Sequence, residues 1–169
     1  PPLIVGAAWE TALALPLGVA CSIVAVVFMF VLEALDSVFE RLPLPRILKP
    51  ALGGLLVGAL ILVRPELYGI GHETMDAALA SSIPWTTLAL LLCLKPLATS
   101  LTLSSGGSGG VFLPSLYLGA LVGGLFGLAV PHLMPAAQTS TGAWALVGMA
   151  GVLSATSFAP VTGALLAFE

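Results

Sequence analysis

Apolar residues come in long runs, broken only by proline, glycine and short polar clusters. Pro1 to Ala8 read as a linker. Thr11 to Leu32 carries no charge and meets the length of roughly 20 apolar residues that crosses a bilayer. Pro16 either kinks this helix or marks its first turn. The helix is expected to continue through Glu33, Asp36 and Glu40 and to end at Leu42-Pro43-Leu44-Pro45, since a residue before proline avoids the helical region. Pro50 to Val63 reads as a second apolar helix. It is short for a span and so re-entrant or tightly packed, with Gly53, Gly54 and Gly58 as a small-residue face. Beyond Arg64-Pro65-Glu66, a glycine-rich loop from Tyr68 to Glu73 leads to a short helix, Thr74 to Ser82, with Thr74 as its cap. Pro84 to Leu103 is a clear span with Trp85 at its edge. Val111 to Val130 follows, closed by Pro131, His132 and Pro135, with His132 an interfacial loop residue. Its Gly119, Gly123 and Gly127 stand four apart, a stripe suited to close helix packing in lipid. Ala136 to Thr141 reads as a linker, with Thr141 or Gly142 capping a helix from Ala143 to Ala155. Thr156 to Pro160 then breaks the chain, and a last helix starts at Pro160.

Composition turns these helices into a membrane protein. Of 169 residues, 59% are hydrophobic and 8% charged, where a soluble domain has about a quarter charged. From Ala77 to Phe168 the only formal charge is Lys95. The expected class is an all-α integral membrane protein, multi-pass, in a plasma or inner membrane. The net charge of −3 points to no nucleic-acid partner. Cys21 and Cys93 lack metal spacing and read as small buried residues. Arg41, Arg46 and Lys49 suggest a cytoplasmic loop, but Glu33, Asp36 and Glu40 lie close by, and orientation stays open. The chain begins without methionine and stops at Glu169 after an apolar run, as a piece of a longer protein would.

The candidate chemistry sits at 104–114, Ser-Ser-Gly-Gly-Ser-Gly-Gly-Val-Phe-Leu-Pro, a small polar run feeding directly into an apolar helix. The first N–H groups of a helix lack intrahelical partners, and the helix dipole places partial positive charge there. Glycines let a ligand come close to those groups, and Pro114 suits a first helical turn. Such a loop makes an anion site without a basic side chain. The order of helix, loop and helix, with a second helix start at Pro160, fits the broken helices of ion transporters.

Lys95, beside Pro96 in mid-span, has two readings. A charge at that depth suggests function, here long-range attraction of anions. The alternative is a lysine that snorkels or pairs with a carboxylate for structure. Glu66, His72, Glu73 and Asp76 form a nominal metal cluster, for which a solvated surface loop is the favoured reading. A phosphate-binding loop is excluded, because no Gly-Lys-Ser/Thr is present and the loop follows an apolar span instead of a strand. No paired carboxylates, Ser-His-Asp set or thiolate cluster supports an enzyme, and no cofactor is implied. A rival reading is a membrane scaffold or assembly subunit whose glycine-rich loop is only a flexible connection.

Gly109-Gly110-Val111-Phe112-Leu113-Pro114 resembles the G-x-F-x-P signature of the CLC family of chloride channels and proton-coupled chloride transporters. Its flanks agree: Leu97 to Thr102 before it and the Gly119/Gly123 helix after it. Ala145 to Ala150, Ala159-Pro160 and Leu166 to Glu169 resemble later helices of the family. Pro50 to Gly54 and Pro65 to Gly69 resemble the ends of the short helix opening its second half. The resemblance implies an all-α membrane fold of two inverted halves with multiple tilted, partly re-entrant helices, of which residues 1–169 form an incomplete transmembrane domain, most of the C-terminal half. It also implies a homodimer in a lipid bilayer, with the first and last helices near the dimer interface. Chloride would be bound by the backbone N–H groups of Val111 and Phe112, within a loop that includes Ser108, Gly109, Gly110, Leu113 and Pro114. The family's other anion signatures, G-S-G-x-P and G-[KR]-E-G-P, belong to its first half and are not found here. Its tyrosine ligand lies beyond this chain, and Tyr68 and Tyr117 do not take that role. Glu10 falls in the linker before the interface helix and is not assigned the family's proton-transfer role. The chain is therefore expected not to conduct without the missing first half.

Overall fold

The computed structural model describes residues 10–69, 71–80, 82–134 and 140–167. Those residues form seven α-helices: α1 (Ala14–Arg41), α2 (Lys49–Val63), α3 (His72–Leu79), α4 (Trp85–Ser104), α5 (Phe112–Leu133), α6 (Thr141–Ser157) and α7 (Pro160–Ala167). Short 3-10 turns at Glu10–Leu13 and Pro65–Leu67 lead into α1 and follow α2. The expected linkers at Pro1 to Ala8 and Ala136 to Thr141 lie wholly or mostly outside the described residues, as does Pro135. α1, α4 and α5 are each long and apolar enough to cross a membrane. The 15-residue α2 is apolar but shorter, about 22 Å long at 1.5 Å per residue.

The organising helix is α5. It is apolar all round, which suits a helix surrounded by others, and every residue from Ser115 to Gly124 is buried. One side packs Tyr117 and Leu121 into a cluster with Met75 and Ala78 of α3 and Leu88 and Leu91 of α4. The other packs Leu118 and Val122 with Leu17, Cys21 and Phe28 of α1 and Trp144 and Val152 of α6. The glycine stripe makes the α5–α6 approach possible. A Cβ on Gly119 would lie 2.4 Å from the Gly148 carbonyl oxygen, and one on Gly123 2.0 Å from that of Trp144. Gly127 meets Thr141 in the same way, and Gly148 answers from α6 against Gly119. Lipid supplies little hydrophobic force between helices, so this backbone-level fit provides the dispersion contact that holds the pair. Elsewhere α1 shows lipid-length apolar surface, with Leu15, Val19, Val26 and Phe30 exposed.

Several sequence expectations need correction. Of the α2 glycines only Gly53 makes a close approach, against Ser105, and a Cβ on Gly54 or Gly58 would meet nothing within 4 Å among the described residues. α3 begins at His72 after a left-handed Gly71, and Thr74 is buried inside it without capping. Gly71 is required there because its Cα sits on the Tyr117 ring, leaving no room for a Cβ. α5 runs through Pro131 and His132 to Leu133, so His132 belongs to an exposed last turn. The hydrogen bond that proline forfeits falls where the helix is ending anyway. α6 is capped by Ser140, whose hydroxyl accepts from the Ala143 N–H at 3.3 Å, not by Thr141 or Gly142. It also continues through Thr156 and Ser157. The Ser157 hydroxyl donates back to the Leu153 carbonyl and Thr156 Oγ1 lies within hydrogen-bond reach of that of Val152, so both polar groups find partners inside the helix. The break reduces to Phe158, left-handed at φ 54°, and Ala159. Cys21 is buried as expected, whereas Cys93 is exposed.

Candidate anion site at the start of α5

The loop between α4 and α5 has two different ends. At the α4 end, Gly106 takes φ 91°, its N–H bonds to the Leu103 carbonyl at 3.0 Å, and the Gly107 N–H bonds to Thr102 at 2.9 Å. This is the Schellman closure of a helix C-terminus, and the Ser105 hydroxyl adds a bond to Thr102 at 3.0 Å. The carbonyl end of α4 is therefore satisfied locally. At the α5 end nothing comparable is built. Val111 is the N-cap residue, with no side-chain cap. Phe112 and Leu113 occupy the first two helical positions, where N–H groups have no intrahelical partner. Pro114 has no N–H, and the first closed turn is Ser115 N–H to Val111 O at 3.0 Å. Among the described residues no backbone acceptor outside the helix takes the N–H of Val111, Phe112 or Leu113.

Two of these residues, Phe112 and Leu113, line a cavity of about 440 Å³ between α2, α4 and the loop. Its lining includes Ser108, Gly109, Gly110, Phe112, Leu113 and Pro114, and also Lys95. Two features read separately in the sequence thus meet in one space. Val111 is not part of the lining. Its side chain packs instead on the α1–α5–α6 cluster, anchoring the start of α5, while Phe112 is 45% exposed. Thr99 and Thr102 of α4 also line the cavity. Their positions emerge only when α4 is set beside the loop.

Lys95 is 4% exposed and neither snorkels nor pairs with a carboxylate. Its Nζ donates to the Gly69 carbonyl at 2.9 Å and the Leu67 carbonyl at 3.2 Å, and it lies 4.6 Å from the centroid of the Tyr117 ring. Tyr117 is fully buried and donates its hydroxyl to the Glu66 carbonyl at 3.4 Å. Lysine and tyrosine together tie the segment after α2 to α4 and α5. Tyr117 was not singled out for this in the sequence, because its partners are 22 and 51 positions away with no local pattern to mark them. Carbonyls neutralise no charge, so the ammonium keeps its field at the cavity wall while two of its protons are engaged. Lys95→Met is expected to lower stability by about 1–2 kcal/mol, the loss of charge-assisted bonds to one buried and one part-buried carbonyl, offset in part by the desolvation cost that the ammonium no longer carries. Proteolysis near Gly69 should quicken; unchanged stability together with an unchanged cleavage pattern would rule the tether out.

Glu66, His72, Glu73 and Asp76 form no metal-binding group among the described residues. Glu66 instead lies 3.8 Å from Arg64 in a half-exposed ion pair.

The family model described as voltage gated chloride channel matches residues 4–169. A ClcB-like protein from Ralstonia nicotianae is 38% identical over 161 residues, covering 95% of this chain and 38% of the relative. A voltage-gated ClC-type chloride channel, ClcB, from Citrobacter koseri is 32% identical over 95% of this chain and 38% of its own length. An H(+)/Cl(-) exchange transporter, ClcA, from Klebsiella pneumoniae is 34% identical over 84% of this chain and 31% of its own. The chain thus spans well under half the length of these relatives.

Proposed function

Because this chain belongs to the voltage-gated chloride channel family of integral membrane proteins, we propose that it forms one wall of a chloride pathway, holding the anion from the backbone. The observation that carries this reading is that the uncapped start of α5 and the buried Lys95 ammonium share one cavity. The N–H groups of Phe112 and Val111 replace part of the ion's hydration. Neutral donors of this kind bind an anion well enough for it to enter and weakly enough for it to leave. Lys95, with two protons already engaged, acts through its field and raises the local anion concentration without ligating the ion.

The opposite wall comes from a segment outside these residues, and the complete protein assembles as a homodimer with one pathway per subunit. The chain alone does not conduct. The relatives include one named as a channel and one named as a proton-coupled exchanger, and such a site serves either. The test is anion efflux from chloride-loaded liposomes with external pH recorded at the same time. The chain alone, folded and helical, should give no flux, and the complete protein should give chloride flux. Robust flux from the chain alone would overturn the half-pathway reading. No flux from the complete protein would favour the scaffold instead. Proton movement accompanying chloride marks an exchanger, and its absence a channel. No observation favours the scaffold on its own account, since a flexible connection has no use for a Schellman closure or a cavity wall.

A further inference from the structure

At the start of α5, outside the cavity lining, two hydroxyls form a chain. Ser115 is fully buried, and its Oγ donates to the Val111 carbonyl at 2.8 Å. That carbonyl also accepts the Ser115 N–H at 3.0 Å. Thr156, in the last turn of α6, places its Oγ1 3.0 Å from Ser115 Oγ. Ser115 has one hydroxyl proton and gives it to Val111, so the proton between the two hydroxyls comes from Thr156. Thr156 also lies 3.0 and 3.1 Å from the Val152 and Leu153 carbonyls, and its proton is shared with them.

The Val111 carbonyl and the Phe112 N–H belong to the same peptide unit. That unit is planar and trans, so its C=O and N–H point in opposite directions. Whatever holds the carbonyl therefore aims the N–H. Donation to the carbonyl also polarises the amide and makes its N–H a stronger donor, because hydrogen bonds in a chain reinforce one another. The donors in the chain run the same way: Thr156 to Ser115, Ser115 to Val111, and the N–H of Phe112, a residue of the cavity lining, away from them.

We propose that Ser115 and Thr156 are positioning residues for the anion, orienting and polarising the Val111–Phe112 peptide so that its N–H is a stronger chloride donor. This rests on the reading of α5's start as a chloride site. It adds that chloride affinity is tuned from α6, by a residue that lines no part of the cavity.

The experiment measures chloride affinity of the complete protein by titration calorimetry, with infrared spectra of the protein carrying a 13C-labelled Val111 carbonyl. Thr156→Val, close in shape but without the hydroxyl, should weaken chloride binding about three- to tenfold, the range of one ordinary hydrogen bond. Ser115→Ala should do at least as much. The double variant should be little weaker than Ser115→Ala alone, because Thr156 acts only through Ser115. Thr156→Ser should restore binding. In both single variants the labelled carbonyl band should move to higher frequency, which a purely packing role would not produce. Should Thr156→Val fail to fold, Thr156→Cys, a weaker donor, carries the same expectation in the same direction. Wild-type affinity in Thr156→Val with an unmoved carbonyl band would overturn the inference and leave the site standing. A wild-type protein that binds no chloride would overturn the site and the inference together.

Discussion

Gly123→Ala is expected to lower stability by about 2–3 kcal/mol, although alanine is the better helix former. The new Cβ would lie 2.0 Å from the Trp144 carbonyl oxygen and 2.7 Å from the Ala145 Cα. Both obstacles are backbone, so no side-chain rotation relieves them and the two helices must separate. Overpacking of this kind costs up to about 3 kcal/mol and occasionally more. The gain from replacing a helical glycine offsets only about 1 kcal/mol of that. Separation also removes the contacts of Gly119 with Gly148 one turn away, and no hydrophobic gain from lipid compensates. Gly124 supplies the control. It neighbours Gly123 on the same helix, but a Cβ there meets only Leu88 Cδ1 at 3.6 Å and Ala78 Cβ at 3.8 Å, which is ordinary contact. Gly124→Ala should be neutral or slightly stabilising. Denaturation in mixed micelles, followed through the Trp144 fluorescence beside Phe126, reads both; its ring lies 5.1 Å from that phenylalanine. Equal midpoints for the two variants would mean that the stripe does not hold α5 to α6.

That stripe was legible in the sequence because its signal is local. Three glycines at a spacing of four lie on one face of any helix. The α4–α5 loop was legible for the same reason, since glycine and serine in a row before a proline can do little else. What escaped were features set by distant partners. Gly54 and Gly58 look like Gly53 in the sequence, but only Gly53 faces Ser105. Thr74 looks like a cap, yet the Tyr117 ring requires the residue before His72 to lack a Cβ, so α3 starts earlier. Thr156 and Ser157 look like a break, yet α6 carries both, with their hydroxyls turned back toward carbonyls one turn earlier. Lys95 was marked as unusual by its charge alone. Its partners, two carbonyls and a ring, carry no signature that a sequence could show.

The proposed anion site gives the other large effect. Exchange of the Phe112 amide for an ester, by incorporation of the matching hydroxy acid, replaces one N–H with oxygen and leaves the side chain unchanged. Proline would also remove the donor, but it would push Val111 out of the helical region it occupies, at φ −86° and ψ −22°. The ester avoids that. A hydrogen bond to a charged partner contributes about 1.5–3 kcal/mol, so chloride binding to the complete protein should weaken by roughly ten- to a hundredfold. The loss should exceed that from an ester at Leu113, because the Val111–Phe112 peptide is the one held from behind by Ser115. Helix content should fall little, since the Phe112 N–H has no intrahelical partner to lose and only the bonds from Ser115 to the Val111 carbonyl, a weaker acceptor once it is an ester, are loosened. Lys95→Met separates the two contributions. Long-range attraction of anions is screened as ionic strength rises past about 0.1 M, less so for a buried charge such as Lys95 than for an exposed one, whereas a lost ligand stays lost. The gap between the Lys95 variant and wild type should therefore narrow as ionic strength rises, and that of the Phe112 ester should not. An ester that binds chloride as the amide does would remove Phe112 from the site, and with it the reason to regard the start of α5 as the wall of a pathway.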